Sequence, residues 1–171
     1  HQYKFDGNLN DAVGDSDGVY VEGDGFLNFI EGHDGTPNGA INFEAANGRG
    51  YMIYVGDYSP LQEGVEGEMT CTFWALWHGS TGSYQDIINK RTSYDYDQMT
   101  WGINQHAGTG HMLTVRRGSG GAPDEVRFAD SNQGMPEGVW THVAVALDSE
   151  NAYFYMNGEL YDTLRYDQGI G

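Results

Sequence analysis

From residue 69 to residue 78 the side chains alternate, with Met69, Cys71, Phe73, Ala75 and Trp77 on one face and Thr70, Thr72, Trp74, Leu76 and His78 on the other. A period of two belongs to an extended strand, whose successive side chains point to opposite sides. The same period recurs over residues 3–6, 19–22, 26–30, 40–43, 51–55, 85–91, 99–104, 111–117, 125–129 and 139–147. No stretch carries the 3.6-residue period of a long helix, and residues 59–68, interrupted by Pro60, have room for one helical turn at most. Asn157-Gly158 separates the alternating runs 152–156 and 159–166. That dipeptide suits a type I′ hairpin, because both central residues need positive φ. About a dozen short strands with frequent turn signals predict two packed antiparallel sheets, a β-sandwich or jelly roll. The 26 glycines among 171 residues are twice the usual ~7% share, as a turn-rich all-β chain requires. The length suits a single domain spanning residues 1–171, with enough chain to close a core.

Charge narrows the function. Twenty-five acidic and eight basic residues give a formal net charge of −17. Such a surface repels phosphate backbones and anionic lipid, which argues against nucleic acid as a partner and against docking on a charged membrane. No apolar run approaches the ~20 residues of a membrane-spanning helix, so no membrane insertion is expected. Cys71 is the only cysteine; within an apolar strand it reads as a small buried hydrophobe rather than a reactive thiol.

Several segments together resemble a known group. These are Tyr3-Lys4-Phe5-Asp6-Gly7-Asn8 with the loop containing Asp11, Gly39-Ala40-Ile41-Asn42-Phe43 leading into Gly50-Tyr51-Met52, and Met69-Thr70-Cys71-Thr72-Phe73-Trp74-Ala75. Ile87-Ile88-Asn89-Lys90, Gly138-Val139-Trp140-Thr141-His142-Val143-Ala144 and Tyr153-Phe154-Tyr155-Met156-Asn157-Gly158 follow in order. The series resembles the laminin-G-like group of concanavalin A-like lectin/glucanase domains and covers nearly the whole chain. The resemblance implies calcium in many members and glycan or protein ligands in many, with no single ligand fixed. It also implies further strands past the Asn-Gly hairpin, ending in a Gly-rich strand with an Asp-Asp pair, whereas this sequence reaches Gly171 without them. Either the product is shortened, or neighbouring chains complete an open sheet edge.

Two segments are candidate sites. Residues 8–18 gather Asp11, Asp15 and Asp17 with Asn and Gly, the hard oxygens on a flexible loop that calcium takes. An EF-hand is excluded, since its first position falls on Val13 and its twelfth on Asp24. The resemblance favours Asp11 as a metal ligand; the competing reading is a solvated turn capped by its own Asp and Asn. The second segment, Tyr94-Asp95-Tyr96-Asp97 with Tyr84 before it, combines rings that stack on sugar C–H faces with carboxylates that take hydroxyls. Tyr58 and Trp101 are weaker members of that set.

Other residues read as structural. Trp74, Trp77 and Trp140 lie in the most apolar strands and are expected in the core, with His142 a structural histidine beside them. His106 and His111 flank a short loop but lack the third and fourth ligands of a zinc site. His1 with a free amine could brace copper, yet nothing else supports that chemistry. A glucanase of this fold carries alternate carboxylates on one strand, the retaining pair ≈ 5–5.5 Å apart. Glu66-Gly67-Glu68 and Asp95-Tyr96-Asp97 do not fit that series, and no phosphate-binding glycine motif is complete. The sequence thus points to an extracellular or surface-located, non-catalytic, calcium-stabilised module that binds glycan or polysaccharide. The alternative is a building block of a surface or fibre assembly joined through its sheet edge.

Overall fold

A computed structural model of the chain describes residues 1–21, 27–43, 52–54, 69–79, 82, 85–91, 99–106, 112–117, 127–131, 134–148 and 151–165. The chain divides into two compact units, His1–Tyr58 and Ser59–Gly171. In the first, β1 (Val19–Val21) pairs antiparallel with β4 (Met52–Tyr54), and β2 (Leu27–Ile30) pairs antiparallel with β3 (Ala40–Phe43). The strand expected over residues 3–6 does not form. Phe5 takes a left-handed φ of 56°, which breaks the extended path, and a lone bridge joins Tyr3 to Asp11.

Among the described residues, the second unit holds two four-stranded antiparallel sheets. One runs in the order β12 (Glu159–Arg165), β11 (Asn151–Met156), β10 (Trp140–Leu147), β5 (Met69–Leu76). The other runs β6 (Gln85–Arg91), β7 (Met99–His106), β8 (Met112–Arg117), β9 (Arg127–Ser131). All described elements are strands, as the alternation predicts, with ends shifted by one to a few residues. Asn157 and Gly158, at φ 52° and 84°, make the predicted hairpin turn between β11 and β12.

The period of two decides what is buried. In β10 the buried positions are Thr141, Val143, Val145 and Leu147; in β11 they are Ala152, Phe154 and Met156. Of these, Val143, Val145, Leu147, Ala152 and Phe154 join Met69, Trp77, Ile103 and Met135 in one core, with Cys71, Phe73, Ala75, Ile87, Ile88 and Leu164 packed against it. Burial pushes the Cys71 thiol up to about 11, so it stays protonated and inert at neutral pH. Trp77 is a core residue as expected, its indole N–H donating to Gln85 Oε1 at 2.8 Å. Gln105, also wholly buried, accepts the Met135 N–H at 2.9 Å.

Candidate functional site

The acidic loop folds around Asp11. Its carboxylate is buried, and Oδ1 accepts the backbone N–H groups of Gln2 at 3.0 Å and Val13 at 3.1 Å. Oδ2 meets the ring Nδ1 of His1. Burial works to raise the pKa of this group. The backbone N–H groups of Gln2, Gly14, Val13 and Ser16 outweigh it and hold the carboxyl at about 2. Asp17 Oδ1 accepts the Asp11 N–H at 2.9 Å, and the Tyr3 hydroxyl donates to the Ser16 carbonyl at 2.7 Å. Gly14 is required beside this pair, since a Cβ there would stand 2.5 Å from Asp11 Oδ2 and 2.8 Å from His1 Nδ1.

In this arrangement the carboxylates of Asp11 and Asp17 serve the loop's own N–H groups. Both oxygens of Asp11 are engaged, one oxygen of Asp17 caps a backbone N–H, and Asp15 is exposed. Among the described residues, no three carboxylates, imidazoles or thiols converge on a point where a metal could be held. What the loop resembles physically is the competing reading of its sequence, a turn whose Asp side chains satisfy its own N–H groups. Tyr84, Tyr94, Asp95, Tyr96 and Asp97 lie outside the described residues, as do Tyr58 and His111. Trp101 and His106 are placed in β7, opposite Lys90 and Met112 respectively.

The tryptophans carry the main correction. Trp74 is 44% exposed, on the face of β5 opposite to the core. Trp140 is half-buried on the corresponding face of β10. Strand alternation explains both: Phe73 and Ala75 turn inward, so Trp74 turns outward, and buried Thr141 does the same for Trp140. The register sets Trp74 directly across from His142, and their rings meet at 5.2 Å with a 56° tilt. His142 is also held by its backbone, which donates to Asn157 Oδ1 at 3.0 Å and accepts the Asn157 N–H at 2.8 Å. An exposed indole braced by a neighbouring ring is a pre-positioned apolar surface with little rotamer entropy left to lose.

The rest of that face continues the pattern. Ala144 and Ala146 follow His142 outward along β10; Tyr155 and Tyr153 lie across from them on β11, and Thr72 and Thr70 on β5. Tyr153 is fixed by its hydroxyl, which donates to Asp148 Oδ2 at 2.8 Å. That bond to a carboxylate holds the phenol above its ordinary pKa, so it stays protonated. Sequence reasoning passed over these tyrosines and alanines, although the alternation of 139–147 and 152–156 was the signal that placed them outward.

Comparison with known proteins fits this architecture. Residues 47–170 match the family described as the concanavalin A-like lectin/glucanases superfamily. The chain belongs to that superfamily. Among solved structures, domain 4 of AbnA, a GH43 extracellular arabinanase from Geobacillus stearothermophilus, in complex with arabinotriose, superposes with a TM-score of 0.62 at 19% identity. The match covers 98% of this chain and 75% of that one. It establishes a shared fold. No curated protein matches the chain.

Proposed function

We propose that this superfamily member is an extracellular, non-catalytic carbohydrate-binding module. The observation that carries the reading is the exposed Trp74, braced by His142 on the outer face of the β12-β11-β10-β5 sheet. The braced indole presents an open apolar ring face, and the C–H face of a sugar ring is a matching surface. The superfamily is one of lectins and glucanases, and the structural neighbour holds arabinotriose, both of which support a glycan as the partner. Calcium has no part at the N-terminal loop in this reading, because the carboxylates there are already engaged. The test is affinity electrophoresis and calorimetry on soluble arabinan, xylan, β-glucan and galactomannan, with polygalacturonate and alginate as acidic counterparts. At least one polymer should bind, and Trp74→Ala should weaken binding about tenfold or more, equivalent to ~1.4 kcal/mol, without loss of the β-sheet spectrum. Failure of the wild type to retard on any polymer would remove the reading.

A second reading rests on a separate observation. In β12, at the edge of its sheet, Leu160 and Tyr161 are 56% and 45% exposed. An exposed apolar edge strand is a template for pairing with another chain, which is the assembly alternative. Persistent oligomers by light scattering, dispersed by Leu160→Lys, would favour it over a monomeric sugar module.

A further inference from the structure

The outer face of the β12-β11-β10-β5 sheet is not uniformly covered by its side chains. At its centre β10 presents only methyl groups, Ala144 and Ala146, both partly open to solvent. The neighbouring strands present taller side chains at the same register: Tyr155 and Tyr153 on one side, Thr72 and Thr70 on the other. Side chains stand roughly perpendicular to a sheet, so low alanines between taller columns leave a depression along β10. The Trp74–His142 pair closes one end of it. From strand geometry, the floor between His142 and Ala146 is about 13 Å long, and the two walls stand roughly 10 Å apart.

We infer that this depression is a binding trough for a short stretch of neutral glycan lying parallel to β10. The proposal rests on the carbohydrate-binding reading and adds to it the path, the floor and the charge class of the ligand. Chemistry commits the occupant. On a chain of net charge −17, the rows from Trp74 to Tyr153 contain only aromatic, hydroxyl and methyl groups besides His142. Asp148, at the far end, is occupied by the Tyr153 hydroxyl and by the Asn151 backbone N–H at 2.6 Å. Apart from His142 these rows hold no basic side chain, Arg165 lying one row beyond Tyr153 across from Asn151, and the surrounding field would repel a uronate or sulfate. Rings and hydroxyls on a methyl floor instead match a sugar chain that shows C–H faces and hydroxyls alternately.

The decisive variants raise the floor without touching a ring. Ala144→Leu and Ala146→Leu point outward, so they should leave the melting temperature and sheet spectrum nearly unchanged. Each should lower affinity for the bound neutral polymer by about tenfold or more, and Tyr155→Ala, which removes a wall, should lower it severalfold. Thr163→Leu, one strand beyond the wall, serves as the control and should bind like the wild type. If both leucine variants bind like the wild type while Trp74→Ala does not, the trough is wrong and the carbohydrate-binding reading stands. Polygalacturonate or alginate bound as tightly as the neutral polymers would overturn the charge class. A wild type that binds none of the six polymers would remove the trough together with the reading beneath it.

Discussion

At the scale of single residues, Asp11 is held from several sides within its own loop. Four backbone N–H groups converge on a buried carboxylate, and the His1 ring shares its second oxygen. A neutral side chain of the same shape would keep the packing but lose the charge that orders those donors. The folded pKa of about 2 lies below the ordinary 3.8. The charged form therefore stabilises the fold, fully above about pH 4 and progressively less as pH falls towards 2. Asp11→Asn should melt below the wild type at pH 7, and the gap should close between pH 4 and pH 2 in thermal melts followed by circular dichroism. A gap that persists unchanged at pH 2 would mean the residue acts by shape alone. Gly14, which has no room for a methyl group beside Asp11 and His1, marks how tightly the loop is set.

At the scale of elements, β10 and β11 show what alternation does and does not reveal. Phe154 and Tyr155 are adjacent in sequence and face opposite ways, Phe154 wholly buried and Tyr155 on the outer face. Phe154→Ala should cost about 3–5 kcal/mol by urea denaturation, as truncation of a buried aromatic does. Tyr155→Ala should cost a small fraction of that, and similar losses at both sites would contradict the assignment of faces. The strands themselves were legible because period two is a local property, as was the Asn157-Gly158 turn. Which face of 69–78 is buried was harder to read, since each carries a tryptophan; the companions of Trp74, namely Thr70 and Thr72, held the answer. The trough was not legible at all. Alanines on a strand are unremarkable until register brings Tyr155 and Thr72 to either side of Ala144, and register is a long-range property that no single segment carries. Residues 3–6 failed for the opposite reason: they alternate, but Phe5 at φ 56° cannot extend a strand.

At the scale of the whole molecule, a net charge of −17 governs how the protein meets ions. So acidic a surface repels itself, and any cation that gathers around it relieves the strain by screening. Acidic composition alone therefore predicts stabilisation by calcium, and this must be separated from stabilisation by a site. Screening depends on valence and ionic strength, so calcium and magnesium should raise the melting temperature alike, and sodium chloride should reproduce much of the rise. A site discriminates, because calcium accepts about six to eight oxygen ligands in flexible geometry where magnesium demands a tight octahedron. With the Asp11 oxygens already engaged, the expected outcome is equal shifts for the two ions and no loss of stability in chelator at constant ionic strength. Neutral glycan binding should likewise be indifferent to chelator and nearly so to salt, since a neutral ligand makes and breaks no ion pair. Stabilisation by micromolar calcium that magnesium cannot match would establish a specific site. If Asp11→Asn abolished it, the hydrogen-bonded loop would have to rearrange around the ion.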